Sequence, residues 1–201
     1  IEYRIYFENT SVEGGAPVQK AVIVDYLPPE LDWATVTLTG VSIAAQPEEI
    51  QLFFDGSDSS CGGPSSPSTP PQSSSIRSAT ACWQGQVQYQ YGDARTVDVT
   101  LVVDVTVAPG TDYTRYDGEY GVITWTFSTD LTYADEGGFL AYGCPEAVDG
   151  EGSSMCGGSV GFSVMPRSGL AAGTAITNDA EIRFDDLRFE RTDPPSTIVL
   201  E

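Results

Sequence analysis

The chain has 201 residues, with 29 acidic and 9 basic side chains and no histidine, for a formal net charge of −20. This excess of carboxylates argues against nucleic acid or an anionic membrane surface as a partner, because phosphates would be repelled rather than neutralised. Without histidine, Ser-His and Cys-His nucleophilic sites cannot be built, so we expect a protein that is not an enzyme and has no catalytic residues.

Alternation of apolar and polar residues begins at residues 1–7, where Ile, Tyr, Ile and Phe fall on one face. Strand-like segments follow between turns rich in Gly and Pro, at 18–26, 35–43, 50–54, 83–91, 97–107, 120–127, 159–164, 174–184, 187–190 and 196–200. The longest, 97–107, carries Val or Leu at every second position. No helical periodicity extends beyond about two turns. This pattern predicts an all-β fold, a two-sheet antiparallel β-sandwich, since one open sheet would leave a face bare.

The domain organisation expected from these patterns is a single β-sandwich domain over 1–201. A Ser/Pro/Gly-rich insertion at 56–82 and a Gly-rich loop at 143–158 interrupt it. The apolar pattern resumes with the same character on both sides of each. No segment reaches the roughly 20 apolar residues that span a bilayer, and the sequence opens on a strand rather than on a signal peptide. We therefore expect no membrane insertion.

The four cysteines, Cys61, Cys82, Cys144 and Cys156, bracket these two loops. Four cysteines allow three pairings, of which Cys61–Cys82 with Cys144–Cys156 closes each loop at its own base. Their spacing and the absence of histidine do not fit a zinc site. Disulfides persist in oxidising compartments, so we expect an extracellular or cell-surface protein with long disulfide-stapled loops.

Calcium is the one cofactor that the acidic composition suggests. Hard cations bind several oxygens, and Asp55 and Asp58 flank Gly56 at a strand end. Second choices are Asp130, Asp135, Glu136, Asp185 and Asp186. The alternative is a solvated turn, where Asp and Gly are common for conformational reasons. The net charge itself has two further explanations, which are solubility outside a cell and adaptation to a salty medium.

Other polar and aromatic residues have conformational explanations. Asp25, Asn9 and Asn178 are interpreted as turn and strand-end residues. Lys20 could form a cross-link with Asn178 beside a carboxylate, but its position between Gln19 and Ala21 favours solvent exposure. Several tyrosines could either form a platform for sugar rings or cap the core with the hydroxyl in water. These are Tyr89, Tyr91, Tyr113, Tyr116 and Tyr120.

Several stretches taken together resemble a known class of module. They include YRIYFENT at 3–10, DYLPPELD at 25–32, GVITWTF at 121–127 and GTAITNDAEIRFD at 173–185. In this order they are similar to the surface-repeat β-sandwich domains of large secreted bacterial and archaeal proteins. The resemblance implies an extracellular, often tandemly arrayed, Ig-like module without catalytic residues. The sequence departs from that pattern after residue 185.

Three functions remain open at this point. The first is a non-catalytic structural or adhesive module of a surface protein, whose partners are neighbouring modules. The second is a subunit of an extracellular filament, in which copies of the chain join by strand complementation. The third is a carbohydrate-binding module with glycans as ligands.

Overall fold

The computed structural model describes residues 1–9, 16–43, 46–52, 79–91, 95–110, 120–131, 137–140, 156–185, 187–188, 190–191 and 196–200; at 46–49, 79, 88–91 and 95–98 it describes the backbone alone. The described part contains strands and no helix, which confirms the all-β prediction. The strands are β1 (Glu2–Glu8), β2 (Lys20–Leu27), β3 (Leu31–Ile43), β4 (Gln46–Ile50), β5 (Ala79–Tyr91), β6 (Arg95–Pro109), β7 (Gly121–Thr129), β8 (Gly157–Pro166), β9 (Ala175–Asn178), β10 (Ala180–Phe184), β11 (Glu190–Arg191) and β12 (Ser196–Val199). No helix long and apolar enough to cross a membrane occurs within these ranges.

These strands form three antiparallel sheets. A four-stranded sheet has the order β1-β8-β3-β4, and a six-stranded sheet has the order β11-β10-β2-β7-β6-β5. β12 and β9 form a separate two-stranded sheet, which we call the ribbon. All the pairings within the three sheets are antiparallel. This organisation is consistent with a β-sandwich.

The core lies between the four-stranded and six-stranded sheets. On β7, Ile123, Trp125 and Phe127 are fully buried at alternate positions, as the period of two requires. Phe127 meets Phe7 of β1 edge to face, with ring centroids 5.6 Å apart. Trp125 meets Phe162 of β8, with centroids 5.8 Å apart. Aromatic side chains of the two sheets therefore contact each other across one apolar core.

The structure corrects the predicted strand boundaries in three places. Segment 174–184 is not one strand, because β9 ends at Asn178 and β10 begins at Ala180, and the two pair with different partners, β12 and β2. The strand predicted at 50–54 is β4, which spans Gln46–Ile50. The strand predicted at 187–190 is β11, which spans Glu190–Arg191. The predicted insertion 56–82 overlaps β5 from residue 79, and the predicted loop 143–158 overlaps β8 from residue 157. Residues 53–78 and 141–155 lie outside the described part.

Candidate functional site

A carboxyl group lies inside the core, on the inner face of β2. The alternate residues Ala21, Ile23 and Leu27 share that face, and each is fully buried. Asp25 occupies the position between Ile23 and Leu27 and is likewise 0% exposed. Its neighbours across the sheet are Ile123 on β7 and Ala180 on β10. The strand period therefore places a carboxyl among apolar side chains, where an unpaired charge is costly.

Asn178, the last residue of β9, is the hydrogen-bond partner of this carboxyl. Its side chain is buried, and its Nδ2 donates to Oδ2 of Asp25 over 2.8 Å. β9 pairs with β12, and Asn178 lies opposite Ser196 in that pairing. One side-chain hydrogen bond therefore joins the ribbon to the six-stranded sheet.

Two aromatic residues bring further buried polar atoms to this region. Tyr3 of β1 stacks on Phe162, with ring centroids 5.2 Å apart. Trp125 lies on β7 two residues after Ile123, which is the residue opposite Asp25. The Tyr3 hydroxyl and the Trp125 Nε1 are buried without a hydrogen-bond partner, as are Oδ1 of Asp25 and Oδ1 of Asn178. We call Tyr3, Asp25, Trp125 and Asn178 the polar cluster.

Electrostatics at the polar cluster favour the protonated form of Asp25. Burial raises the pKa of Asp25 to about 8; the Asn178 hydrogen bond lowers it, and the nearby Asp179 carboxylate raises it further. Burial, followed by the charge of Asp25, raises the pKa of Tyr3 to about 12. At neutral pH Asp25 is therefore mainly a neutral carboxylic acid that can donate a hydrogen bond. Because the carboxyl is closed to solvent, it is placed for a structural role rather than for attack on a substrate.

Of the residues predicted to bind calcium, Asp130 and Asp185 lie in the described part, and the calcium site at Asp55 and Asp58 stays a prediction. Asp55, Asp58, Asp135, Glu136 and Asp186 lie outside that part. Asp130 accepts a hydrogen bond from the Thr100 backbone N–H over 3.1 Å. Oδ1 of Asp185 accepts bonds from the backbone N–H groups of Gln19 and Lys20, over 3.1 and 2.8 Å. Asp185 has a left-handed φ of 47°, a conformation that Asp tolerates at turns. Within the described ranges, no three His, Cys, Asp or Glu side chains are grouped to hold a metal ion.

The structure also places the other residues singled out in the sequence. Lys20 is exposed at the opposite end of β2 from Asp25, while Asn178 bonds Asp25, so a Lys20–Asn178 cross-link does not fit this geometry. The Asn9 amide Nδ2 donates to the Ala16 carbonyl over 3.0 Å, which agrees with a turn role. Tyr120 is only 4% exposed and therefore belongs to the interior rather than to a sugar platform. The side chains of Tyr89, Tyr91, Tyr113 and Tyr116 are outside the described part.

Neither cysteine in the described part is a free thiol, since Cys82 and Cys156 are both disulfide-bonded. Cys82 lies on β5 opposite Asp104, and Cys156 is fully buried just before β8. Cys61 and Cys144 lie outside the described residues, so the two local pairings stay a prediction. That prediction bears on how each loop is anchored.

Peptide mapping under non-reducing conditions tests these pairings. We expect Cys61–Cys82 and Cys144–Cys156, with no thiol titratable in the native protein, because each pairing closes a loop at its base. A Cys61–Cys156 peptide would contradict the local arrangement. The reduced protein should keep the pH dependence of the polar cluster, because none of its four residues is a cysteine.

No known protein family, curated protein or solved structure matches this chain. The proposals for its function therefore depend on its own residues.

Sequence reasoning missed the polar cluster, although a signal for it was present. Asp25 falls in register with Ala21, Ile23 and Leu27, so strict alternation places it on the core face rather than in a turn. Tyr3, Asp25 and Asn178 also belong to the stretches on which the family resemblance rests. Those stretches thus supply buried contacts of the fold. Only the three-dimensional structure, which brings the end of β9 against β2, could show that Asp25 and Asn178 meet.

Proposed function

We propose that this chain is a non-catalytic structural or adhesive module of an extracellular surface protein, folded as an Ig-like sandwich with disulfide-stapled loops. The observation that carries the proposal is that β1 and β12 both pair within the chain and pack on its core. A module that keeps these strands can act as a self-contained spacer between neighbouring modules. A subunit joined by strand exchange would instead give one of them to another copy.

The pairing of β12 is extensive for so short a strand. Residues Ser196 to Val199 are in register with β9, and the Thr177 and Thr197 hydroxyls are 3.0 Å apart. The Gly173 N–H donates to the Leu200 carbonyl over 2.8 Å, and the Leu200 N–H to the Thr174 carbonyl over 3.0 Å. The Ile198 and Leu200 side chains are partly buried against the core. These contacts support a tail that belongs to its own fold.

A filament subunit is the second candidate, and the edge position of β1 favours it. Ile1 exchanges backbone hydrogen bonds with Val164, and the Asn9 N–H donates to the Cys156 carbonyl, so the odd-numbered residues of β1 pair with β8. The even-numbered residues then direct their N–H and C=O groups away from β8. No strand in the described part pairs with that side of β1. Its charged side chains, Glu2, Arg4 and Glu8, are of the kind that discourages strand addition.

A carbohydrate-binding module has less support. Tyr6 is 72% exposed, and it is the one exposed aromatic residue among the described side chains. Protein sites for sugar rings commonly need a platform of aromatic faces together with polar groups. A glycan screen with Tyr6→Ala as the control would detect such binding.

Deletion of residues 196–201 separates the first two candidates. If the module is self-contained, the truncated chain should lose stability as a monomer, since Ile176 and Ile198 lose their contact across the ribbon. Sedimentation and chemical unfolding of both forms at the same concentration give the measurement. A truncated monomer that is as stable as the full chain but no longer assembles would overturn the spacer proposal and support strand donation.

Two adjacent substitutions provide a matched control for the deletion. Ile198 is partly buried, whereas Val199 is 59% exposed on the other side of the same strand. Ile198→Ser should cost about 1–2 kcal/mol of unfolding free energy, because it removes apolar area from the core. Val199→Ser should change stability by less than about 0.5 kcal/mol. Equal effects would mean that β12 is not docked as described.

A further inference from the structure

If Asp25 is ionised, the Asp25–Asn178 pair has more buried hydrogen-bond acceptors than its own donors can satisfy. A carboxylate only accepts hydrogen bonds, and an amide offers one acceptor oxygen beside its N–H donors. The Asn178 Nδ2 already donates to Oδ2 of Asp25, which leaves Oδ1 of both residues buried without a donor. Two buried acceptor oxygens on bonded partners are costly, because each lost its hydrogen bonds to water on folding.

A single proton on Asp25 removes this imbalance. A protonated carboxyl carries one O–H donor beside its remaining acceptor, and an amide carries the complementary donor and acceptor. Asp25 can then accept from the Asn178 Nδ2 and donate to the Asn178 Oδ1, so that two hydrogen bonds join the groups. Both orphaned oxygens would thereby gain a partner within the pair.

No cation faces Asp25 from the described elements packed around it. Across the sheet lie Ile123 on β7 and Ala180 on β10, and Phe162 of β8 turns an apolar ring inward. β1 contributes the Tyr3 hydroxyl. Asp179, the residue between β9 and β10, contributes a carboxyl, and its charge disfavours a negative charge on Asp25.

The basic residues on the two flanking strands are placed elsewhere. Lys20 is exposed at the far end of β2, and Arg183 of β10 lies opposite Val22, one residue out of phase with the inward-facing Ile182. Neither is among the charges that act on Asp25.

We propose that Asp25 and Asn178 form a proton-dependent latch, in which the protonated carboxyl pairs with the amide through two hydrogen bonds and holds the ribbon on β2. Opening of the ribbon exposes Asp25 to water, where it releases its proton. The ribbon is therefore held most tightly at acidic pH and loosens as the pH rises towards 8. This inference does not depend on which extracellular function the chain has.

Hydrogen exchange of the full chain at a series of pH values tests the latch. The probes are the Gly173 and Leu200 amides, which bond across the ribbon, with Val103 and Val105 amides of β6 as the reference. After division by the intrinsic exchange rate, protection of the ribbon amides should fall by up to tenfold per pH unit between about pH 5 and pH 8. The β6 amides exchange only on global unfolding, which also exposes Asp25, so their protection should fall with a similar slope but stay higher than that of the ribbon at every pH. A ribbon whose protection is constant with pH, or equals that of β6 at every pH, would overturn the latch.

Two variants identify the group that titrates. Asp25→Asn keeps a donor and an acceptor at position 25 but cannot ionise, so ribbon protection should become independent of pH. The exchanged pair, Asp25→Asn with Asn178→Asp, restores one acid and one amide and should restore the pH dependence. Tyr3→Phe should leave the wild-type profile unchanged. A pH dependence that persists in Asp25→Asn would refute the assignment, and if that variant does not fold, the wild-type comparison of ribbon with β6 still decides.

Discussion

The free energy of unfolding should fall as the pH is raised from about 4 to about 8, by about 1.4 kcal/mol per pH unit where the effect is fully developed. The group responsible is Asp25, whose pKa burial raises from 3.8 to about 8 in the folded chain. Between these values the folded state holds one proton that the unfolded state releases. The stabilisation is therefore complete below about pH 4 and is lost as the pH rises through about 8. Urea unfolding at fixed ionic strength measures it.

Two variants separate this effect from the general charge of the protein. With a formal net charge of −20, raising the pH also increases the repulsion among surface carboxylates. Asp25→Asn should flatten most of the pH dependence, whereas Glu2→Gln, which removes an exposed carboxyl, should not. If the Asp25→Asn and Glu2→Gln profiles have the same slope, Asp25 is not the linked group.

Phe162→Ala should destabilise the fold by about 3–5 kcal/mol, as expected for truncation of a fully buried aromatic side chain. Phe162 stacks on Tyr3, with ring centroids 5.2 Å apart, and lies 5.8 Å from the Trp125 ring of the opposite sheet. Its removal leaves a cavity between the two sheets, where neighbouring side chains can collapse only partly. Thermal or chemical unfolding gives the measurement.

The control for this substitution lies three residues further along the same strand. Met165 of β8 is 66% exposed, so Met165→Ala should change stability by no more than about 0.5 kcal/mol. Comparable losses from the two substitutions would mean that the four-stranded and six-stranded sheets are not packed through Phe162. In that case the core described between β7 and β8 would be wrong.

Periodic strands could be predicted from the sequence because the signal is local. In β6, an apolar residue stands at every second position from Val99 to Val107, and these five residues, Val99, Leu101, Val103, Val105 and Val107, are all buried in the structure. The predicted boundaries of a strand were less accurate where the choice of pairing strand determines where it begins or ends. Segment 174–184 has one continuous apolar pattern, yet its halves pair with strands about 20 residues later and about 155 residues earlier in the chain. Local periodicity carries no information about such a choice of partner.

The candidate site shows the same division between local and non-local information. Alternation alone could have assigned Asp25 to the core face, because Ile23 and Leu27 flank it there. Nothing local indicates that Asn178, some 150 residues away, supplies its hydrogen bond. The raised pKa of Asp25 follows from the depth of burial, and the Asn178 hydrogen bond acts against it; both are properties of the assembled sheets.

The pairing of β1 with β8 has a consequence for the order in which the fold can form. Glu2 lies opposite Ser163, so the first strand has no partner until synthesis has passed β8. Closing so long a loop costs entropy before any contact repays it, and chains dominated by distant pairings fold slowly. The hairpin of β5 and β6, and then β7, can assemble earlier from neighbouring segments. The nascent chain therefore leaves Tyr3 and Phe7 without their β8 neighbours until Gly158 and Phe162 have been made, a period in which exposed apolar side chains favour aggregation.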